Sequence, residues 1–476
     1  MSRCTLRAFG ASLVVLAACS MRTGQTSAPP LEPSVGRWKT WVLSSPSEVE
    51  VPPPPKQGSA AASADLAEVR RAVEGRTPQI EEQARFWSDY PAVQPWIKLG
   101  LDLVVEQGVR NPPRAARGYA LTSVAMYDAA VSASLWKYVY GRPAPDDVDR
   151  VVPVWQEPSY PSEHAALAGA ASRVLAYVYP ELPADFFDQL AEEAATSRVA
   201  AGANYPSDVA AGLKLGRAVA DAVIARARTD GYGREWQAEV PPGNGFWKPP
   251  PGSAAPPLAP LAGTWRTWVL RSGDQLRPPP PPAYGSPAFV AEATNVMQIG
   301  DNLSDDEERI AKYWSAGAET SLPPGMWNEL ALERVRAEHL SIPHMARVFA
   351  LLNIAEADAA IAAWDCKYAY WSPRPVNVIR DLAMDPAWSP YLPTPPFPAY
   401  VSGHSTFSAA ASEVLAYLFP QEASEFRTMA EEAGMSRVYG GIHYPADNIH
   451  GLDLGREIGR LVVDRAKRDG ASAPRA

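Results

Sequence analysis

Apolar residues recur every three or four positions along most of the chain, which is the spacing of one face of an α-helix. The pattern is clear at Ala346, Phe349, Ala350, Ile354 and Ala357. Strict alternation of apolar and polar residues, which is typical of strands, is scarce. We predict an all-α fold in which alanine-rich faces let helices approach closely, with about four to six helices in each half of the chain.

Similar segments occur twice, in the same order. The matching pairs are RWKTWVL (37–43) with TWRTWVL (264–270), ARGYALTSVAMYDAA (116–130) with ARVFALLNIAEADAA (346–360), and YPSEHAALAGAASRVLAYVYP (160–180) with YVSGHSTFSAAASEVLAYLFP (400–420). The segments keep their order while the loops between them differ in length. The sequence therefore predicts two tandem helical bundles related by internal duplication.

The predicted domain plan has five parts. They are a lipoprotein signal peptide at 1–18, a proline-rich N-terminal segment at 19–60, a degenerate helical bundle at 61–235, a proline-rich linker at 236–290 and a catalytic bundle at 291–470. Proline-rich stretches are stiff and extended. We interpret them as a linker or as a wrap over the bundles, with recognition by a proline-binding domain as the alternative.

The first residues of the chain have the features of an export signal. Two arginines precede an apolar run at 8–18, which is shorter than the ~20 residues of a membrane-spanning helix. The sequence LAAC at 16–19 resembles a bacterial lipobox, so we predict cleavage before Cys19 and lipidation of its thiol. The protein would then be a cell-envelope lipoprotein, periplasmic or outer-membrane anchored. An ordinary signal peptide with an incidental cysteine is the alternative.

Charge and cysteine content narrow the possible partners. The formal net charge is −9 at neutral pH, whereas nucleic-acid binding requires a basic surface. After cleavage only Cys366 would remain in the folded body, which leaves no intramolecular disulfide. No later segment has the length and apolar character of a membrane span. We therefore expect no nucleic-acid partner, and contact with a membrane only through the lipid anchor.

Three segments of the second half combine cations, histidines and glycines. They are KYAYWSPRP (367–375), YVSGH (400–404) and SRVYGGIHYPAD (436–447). Ser402 and Gly403 precede a predicted helix, whose free N–H groups and dipole favour a bound anion. Lys367, Arg374 and Arg437 supply three cations, which is the complement of a tetrahedral oxyanion.

Two histidines and an aspartate complete the predicted site. Asp447 stands four positions after His443, so on a helix its carboxylate would hold the proton of one ring nitrogen and leave the other nitrogen free to attack or ligate. His404 would be an acid–base partner across the anion. Each segment alone also fits a structural role, such as a helix-terminal histidine or solvated basic side chains. The three segments together favour an oxyanion site.

The combined spacing resembles the signature of a known superfamily. The three parts are Lys367-x6-Arg374-Pro375, Ser402-Gly403-His404 and Ser436-Arg437-x5-His443-x3-Asp447. Together they resemble the type 2 phosphatidic acid phosphatase (PAP2) and vanadium haloperoxidase superfamily. The surrounding residues, 295–469, are most similar to its soluble haloperoxidase branch. Val401 departs from the pattern, since the family often has proline there.

The resemblance implies a role for each site residue. In a haloperoxidase, His443 would be the covalent ligand of vanadium, and His404 would manage protons beside the bound vanadate. The groups that would bind the vanadate oxygens are Lys367, Arg374, Ser402, the Gly403 amide and Arg437. In a phosphatase the same pocket would take phosphate without a cofactor, with His443 forming a phosphohistidine and His404 protonating the leaving group.

The first half carries an altered version of the same residues. It keeps Lys137, Arg142, Ser162, His164 and Arg198. Glu163 replaces Gly403 and Asn204 replaces His443. A carboxylate repels an oxyanion, and an amide can neither attack phosphorus nor ligate vanadium as imidazole does. We therefore predict one active site in each chain.

Three functions fit these observations. The leading hypothesis is a vanadium-dependent haloperoxidase-like enzyme whose substrates are peroxide and halide, because the superfamily's integral lipid phosphatases need spanning helices that are not predicted here. The alternative is a soluble acid phosphatase that hydrolyses phosphate monoesters with the same residues. A third hypothesis is a non-catalytic envelope lipoprotein, which the survival of all motif residues in the second half disfavours.

Overall fold

Fifteen α-helices and no β-strand are found in the part of the chain that the structure describes. This computed structural model describes residues 32–472, apart from 90, 91, 155, 156, 184, 318 and 339. The first half contains α1 (Ala60–Glu74), α2 (Pro78–Asp89), α3 (Gln94–Glu106), α4 (Pro112–Tyr140), α5 (Glu163–Val178), α6 (Phe186–Ala200) and α7 (Pro206–Ala227). The second half contains α8 (Pro287–Gly300), α9 (Asp305–Tyr313), α10 (Leu322–Ala337), α11 (Ile342–Tyr370), α12 (Pro375–Asp381), α13 (Gly403–Leu418), α14 (Ala423–Tyr439) and α15 (Pro445–Ala466). The predicted all-α fold is confirmed.

Four helices of the first half have counterparts in the second, in the same order. The pairs are α4 with α11, α5 with α13, α6 with α14 and α7 with α15. Helices α4 and α11 each have 29 residues and pack against each other. Both halves also share their hydrophobic core, since Trp96 packs in one buried cluster with Trp327. The matched helices agree with two related bundles, while their origin by duplication stays a prediction.

The described residues hold more helices per half than the four to six or so that we expected. In this described part of the chain, seven helices, of 7 to 16 residues, lie outside the four matched pairs, and two of them, α1 and α9, each bury a single residue. For example, α9 begins with a capping box between Ser304 and Glu307 and buries only Ala311. A helix with so small an apolar face gives a weak periodic signal in the sequence.

Glycines on α15 let it cross α13 at very short range. A Cβ atom at Gly455 would lie 2.3 Å from the carbonyl oxygen of Thr406, and one at Gly451 would lie 2.8 Å from that of Ser402. No larger residue fits such an approach. At the same crossing the Ser402 N–H donates to the carbonyl oxygen of Asp447 (2.9 Å). The crossing therefore fixes the start of α13 against the start of α15.

The repeated tryptophan segments cover the two central helices. The N–H groups of Trp41, Val42 and Leu43 donate to the Asp128 carboxylate on α4 at 2.8, 2.9 and 3.1 Å. In the second half, the N–H groups of residues 268–270 donate in the same way to Asp358 on α11, at 2.8, 2.8 and 3.0 Å. These segments therefore wrap over the helices.

The predicted signal peptide and the lipidated Cys19 lie outside the described residues, so both stay predictions, as do the boundaries of the five parts. Among the described residues, no helix has the length and apolar character needed to cross a membrane. The only cysteine in this part of the chain is Cys366, which is buried and unpaired.

Candidate oxyanion site

The predicted site residues lie at five helix ends of the second half. Lys367 is in the last turn of α11, and Arg374 immediately precedes α12. Arg437 is in the last turn of α14. The remaining members are Ser402, Gly403 and His404 at the start of α13, and His443 and Asp447 at the start of α15. They lie close to one another, since Arg374, Lys367, His404 and Arg437 all act electrostatically on His443.

Backbone carbonyl groups hold the first two cations. The Lys367 ammonium donates to the carbonyl oxygens of Pro398 (3.0 Å), Ala399 (3.0 Å) and Val401 (2.5 Å). The Arg374 Nε donates to the carbonyl oxygen of Phe397 at 2.8 Å. Both cations are fully buried. The loop at 397–401 therefore sets the positions of two of the three predicted anion-binding charges.

The histidine–aspartate pair has the predicted geometry. The His443 Nδ1 lies 2.8 Å from Asp447 Oδ2, which also accepts the Tyr444 N–H at 3.1 Å. The His443 Nε2 lies 3.1 Å from Arg374 Nη1. Arginine can only donate, so Nε2 must accept, and these partners assign the ring proton to Nδ1. The lone pair of Nε2 therefore faces the cationic pocket.

A tight turn and a helix cap produce this geometry. Gly441 has a φ of +70°, in the left-handed region that favours glycine, so the chain turns sharply just before His443. Asp447 occupies the third position of α15, where it closes a capping box with the backbone of Tyr444. One carboxylate thus caps the helix and orients the imidazole.

The start of α13 faces the pocket with a second histidine. The Ser402 side chain caps α13 by accepting the Ser405 N–H at 3.3 Å. The His404 Nε2 and the Arg374 Nη2 are buried and make no hydrogen bond of good geometry among the described residues, although the backbone of Trp314 and Ser315 lies close enough to the His404 ring to raise its pKa. Buried polar atoms are normally paired. These two atoms, together with the helix N-terminus, fit a bound oxyanion such as vanadate or phosphate.

The third cation is held by helix α9. The Arg437 Nη2 donates to the carbonyl oxygen of Ala311 at 2.9 Å, and its Nε donates to the Ser436 hydroxyl at 2.9 Å. The contact with Ala311 could not be predicted from the sequence, because a backbone carbonyl has no side-chain signature. Glu292 on α8 was missed as well; its Oε2 accepts the Ala446 N–H at the start of α15 at 3.1 Å.

Burial disfavours charge throughout the pocket. It lowers the pKa of Arg374 to about 10 and that of Arg437 to about 9. Burial, followed by the charge of Arg374, holds the pKa of Lys367 well below its ordinary value. Three like charges that are out of water and opposed by few carboxylates would be stabilised by an anion.

Burial also shifts the pKa values of the two histidines and the aspartate. The pKa of His443 lies well below 6.5, mainly because the ring is buried and secondly because Arg374 is close. The pKa of His404 also lies well below 6.5, mainly because of burial and secondly because of Arg437. Burial raises the pKa of Asp447 to about 7, against the opposing effects of the Tyr444 N–H and nearby Lys367. Both imidazoles are therefore neutral near pH 7 until an anion offsets the surrounding positive charge.

The corresponding pocket of the first half contains its own carboxylates. Lys137 pairs with Glu157 (2.7 Å) and Glu163 (3.5 Å). Arg142 pairs with Asp208 at 2.8 Å and is held by a further carboxylate of α1 at 2.9 Å. In the first half, Lys137 and Arg142 are thus paired with carboxylates of the protein itself, whereas the corresponding Lys367 and Arg374 of the second half are held by backbone carbonyls.

The residue at the histidine position of the first half points into the protein. The Asn204 amide donates to the carbonyl oxygen of Ser159 at 3.0 Å, and its oxygen accepts from Arg198 Nε at 3.3 Å. An amide engaged in this way offers no free lone pair of imidazole type. The arrangement agrees with the predicted single active site, which remains to be tested.

Comparison with known proteins gives two family matches. The model of the VCPO second helical-bundle domain matches residues 347–425 and 419–470, and that of the PAP2 superfamily matches residues 117–230. A solved bacterial vanadium-dependent iodoperoxidase is 26% identical with a TM-score of 0.65, over 78% of this chain and 95% of that chain. The chain belongs to the PAP2 and vanadium haloperoxidase superfamily. Its two family matches fall on the two halves that carry the matched helices.

Other members of the superfamily are more distant or match over shorter stretches. The holo form of a bacterial vanadium-dependent chloroperoxidase has a TM-score of 0.57 at 15% identity over 78% of this chain and 96% of that chain, which indicates the fold alone. Vanadium chloroperoxidase from Curvularia inaequalis is 31% identical over 128 residues, which are 22% of this chain and 21% of that protein. Lipid A 1-phosphatase from Rhizobium johnstonii is 39% identical over 77 residues, which are 16% of this chain and 32% of that protein. The chain thus matches about a fifth to a third of these curated relatives.

Proposed function

We propose that the protein is a vanadium-dependent haloperoxidase-like enzyme that oxidises halide with hydrogen peroxide. The observation that carries the proposal is the buried pocket of three cations, in which the unshared pair of His443 Nε2 faces Arg374 at 3.1 Å. Similarity over 95% of the iodoperoxidase chain supports the haloperoxidase branch. Among the described residues, no cluster of three or more His, Cys, Asp or Glu suited to a metal cation is present; the donor set here suits an oxyanion.

Each site residue would have a distinct role in this reaction. Vanadate held there would serve as a Lewis acid toward peroxide without changing oxidation state. His443 would bind it through Nε2, while Asp447 keeps the ring proton on Nδ1. The side chains of Lys367, Arg374 and Arg437 would bind its oxygens. His404 would take up or release a proton at its unpartnered Nε2.

The second candidate is a phosphatase, which the two matches to lipid A 1-phosphatases favour. In that reaction the His443 Nε2 would attack phosphorus while the bond to the leaving oxygen breaks, and His404 would give that oxygen its proton. Water would then hydrolyse the phosphohistidine to release phosphate. The same pocket geometry serves this sequence of steps.

One pair of assays separates the two candidates. The purified protein is tested for halide oxidation with vanadate and hydrogen peroxide, and for hydrolysis of a phosphate monoester with and without vanadate. We expect halide oxidation that requires vanadate and is lost in His443→Ala. Ester hydrolysis that vanadate blocks, without halide oxidation, would replace the proposal with the phosphatase. If the protein shows neither activity, the result would favour the non-catalytic lipoprotein.

We also propose export and lipid anchoring at Cys19. The support is the LAAC sequence at 16–19 after a short apolar run. Mass spectrometry of the protein from a bacterial envelope fraction should find a diacylglycerol on the N-terminal cysteine. A Cys19→Ser variant should lose this modification and be released from the membrane fraction; retention of the unmodified protein in that fraction would contradict the anchor.

A further inference from the structure

The positions of two site cations depend on one loop, residues 396–402. Its backbone carbonyls accept from Arg374 at 2.8 Å and from Lys367 at 2.5 to 3.0 Å. The N–H of Ala399 donates to the carbonyl of Ser372 at 3.0 Å, which ties the loop to the end of α11. Any shift of this loop would therefore move both charges together.

The proline-rich linker holds one end of the loop. The Leu258 N–H donates to the carbonyl oxygen of Pro396 at 2.8 Å. The Leu258 carbonyl accepts the Tyr368 hydroxyl at 2.6 Å and the Trp364 indole N–H at 3.1 Å. Both of these side chains belong to the last turns of α11, beside Lys367. One linker residue thus joins the loop to the helix that carries the lysine.

A second stretch of the linker holds the other end. The Pro278 carbonyl accepts the Tyr370 hydroxyl at 2.7 Å, and the Pro279 carbonyl accepts the Tyr400 hydroxyl at 2.6 Å. The two tyrosine rings meet edge to face, with centroids 5.6 Å apart. Proline has no N–H, so an extended proline run leaves its carbonyls free to accept from such side chains.

We infer that residues 258 and 278–279 of the linker act as a strap that positions the cations of the oxyanion site. The inference rests on the proposed anion-binding function of that site. The hydrogen bonds of the strap go to the loop at 396–402 and to the end of α11, and the strap would act on the site through them. A displacement of about 1 Å is enough to weaken a preorganised site.

The first half offers a matched control. There the Tyr140 hydroxyl donates to the Val51 carbonyl at 2.5 Å, which is the counterpart of the Tyr370 contact with Pro278. Each tyrosine is the last residue of its central helix, α4 or α11. Removal of either hydroxyl should therefore have a similar effect on stability. Only the one beside the proposed active pocket should affect anion binding.

The test compares Tyr370→Phe with Tyr140→Phe, and Leu258→Pro with Leu258→Ala. Proline removes the N–H that reaches Pro396, whereas alanine keeps it. Dissociation constants for phosphate and for vanadate are measured by calorimetry, with Tm as the measure of folding. We expect Tyr370→Phe and Leu258→Pro to weaken both anions by about three- to tenfold, the effect of one lost hydrogen bond. The two controls should stay within about twofold of the wild type.

The outcomes separate the strap from the site. If the wild type binds anions and all four variants bind them equally well, the strap has no positioning role. If Tyr140→Phe weakens binding as much as Tyr370→Phe, the effect is general destabilisation and the inference fails. If the wild type binds neither phosphate nor vanadate, the proposed function itself fails. A Leu258→Pro variant that does not fold leaves the conservative Tyr370→Phe comparison to decide.

Discussion

We expect a carboxylate at Gly403 to block anion binding in the second half, as Glu163 is predicted to do in the first half. Glu163 lies in the corresponding position and reaches Lys137 at 3.5 Å. The three atoms nearest to a Cβ atom at Gly403 would be side-chain carbons of Trp364 and Phe407, at 3.4 to 3.9 Å, which is ordinary contact. Position 403 therefore has room for a Cβ atom, and by analogy with Glu163 we expect the carboxylate of Gly403→Glu to lie beside Lys367.

The expected magnitude follows from charge repulsion. Two unit charges at about 4 Å interact by roughly 4 kcal/mol at an effective dielectric of 20, which corresponds to about a thousandfold in affinity. Lys367 screens part of this repulsion, so we expect Gly403→Glu to weaken vanadate or phosphate by about a hundredfold or more. Burial raises the pKa of Glu163 to about 7. If the new carboxylate behaves alike, the loss should grow as the pH rises through that value.

The control is Gly403→Gln, which has the same size and no charge. Anion affinity is measured by calorimetry below and above pH 7 for both variants and the wild type, with circular dichroism to verify folding. We expect a large gap between the two variants at alkaline pH and a small gap at acidic pH. Equal losses in both variants, at all pH values, would show that steric exclusion is responsible and would refute the electrostatic reasoning.

Three further predictions test the site and the fold. Purified protein loaded with vanadate should contain about one vanadium per chain by metal analysis, and two would contradict the silent first half. Asp358→Asn replaces one of the two carboxylate oxygens that accept the N–H groups of residues 268–270, and it should lower the free energy of unfolding by about 2 to 4 kcal/mol. Asp128→Asn should have a similar effect. A loss below about 0.5 kcal/mol in denaturant titration would show that these hydrogen bonds do not stabilise the fold. Burial holds the pKa of Glu356 well above 4.5. The folded protein therefore keeps the Glu356 proton at pH values where the unfolded chain loses it, and the free energy of unfolding should fall as the pH rises above 4.5. Glu356→Gln should be more stable than the wild type in alkaline buffer, and an identical pH profile of Tm in the two proteins would contradict this.

Local spacing was enough to predict the all-α fold and the contact between His443 and Asp447. Ala346 to Ala357 lies on α11 as its periodicity indicated. His443 and Asp447 are four positions apart, and the structure gives the Nδ1 contact with the carboxylate that this spacing implies. Such features depend on residues that are neighbours in the sequence, so short-range geometry determines them.

Long-range backbone contacts could not be predicted in the same way. The carbonyls that hold Lys367 and Arg374, and the Ala311 carbonyl that holds Arg437, belong to residues whose side chains do not announce the contact. The hold of Asp128 on Trp41 spans 87 positions. The only sign of it in the sequence was that both segments recur in the second half, and this recurrence does not indicate which residues of the two segments are in contact.

Each half supplies part of the other's outer surface. Arg226, on the last helix of the first half, stacks on Trp268 of the segment that covers the second half, with 3.5 Å from the guanidinium to the ring centroid. Arg465, on the last helix of the second half, stacks on Trp41 in the reciprocal arrangement at 4.6 Å. A shortened chain that begins after the first half would leave Trp268 uncovered and would expose the face of α11 that α4 buries. We therefore expect the second bundle alone to be less stable than the whole chain, because the first half covers part of its surface.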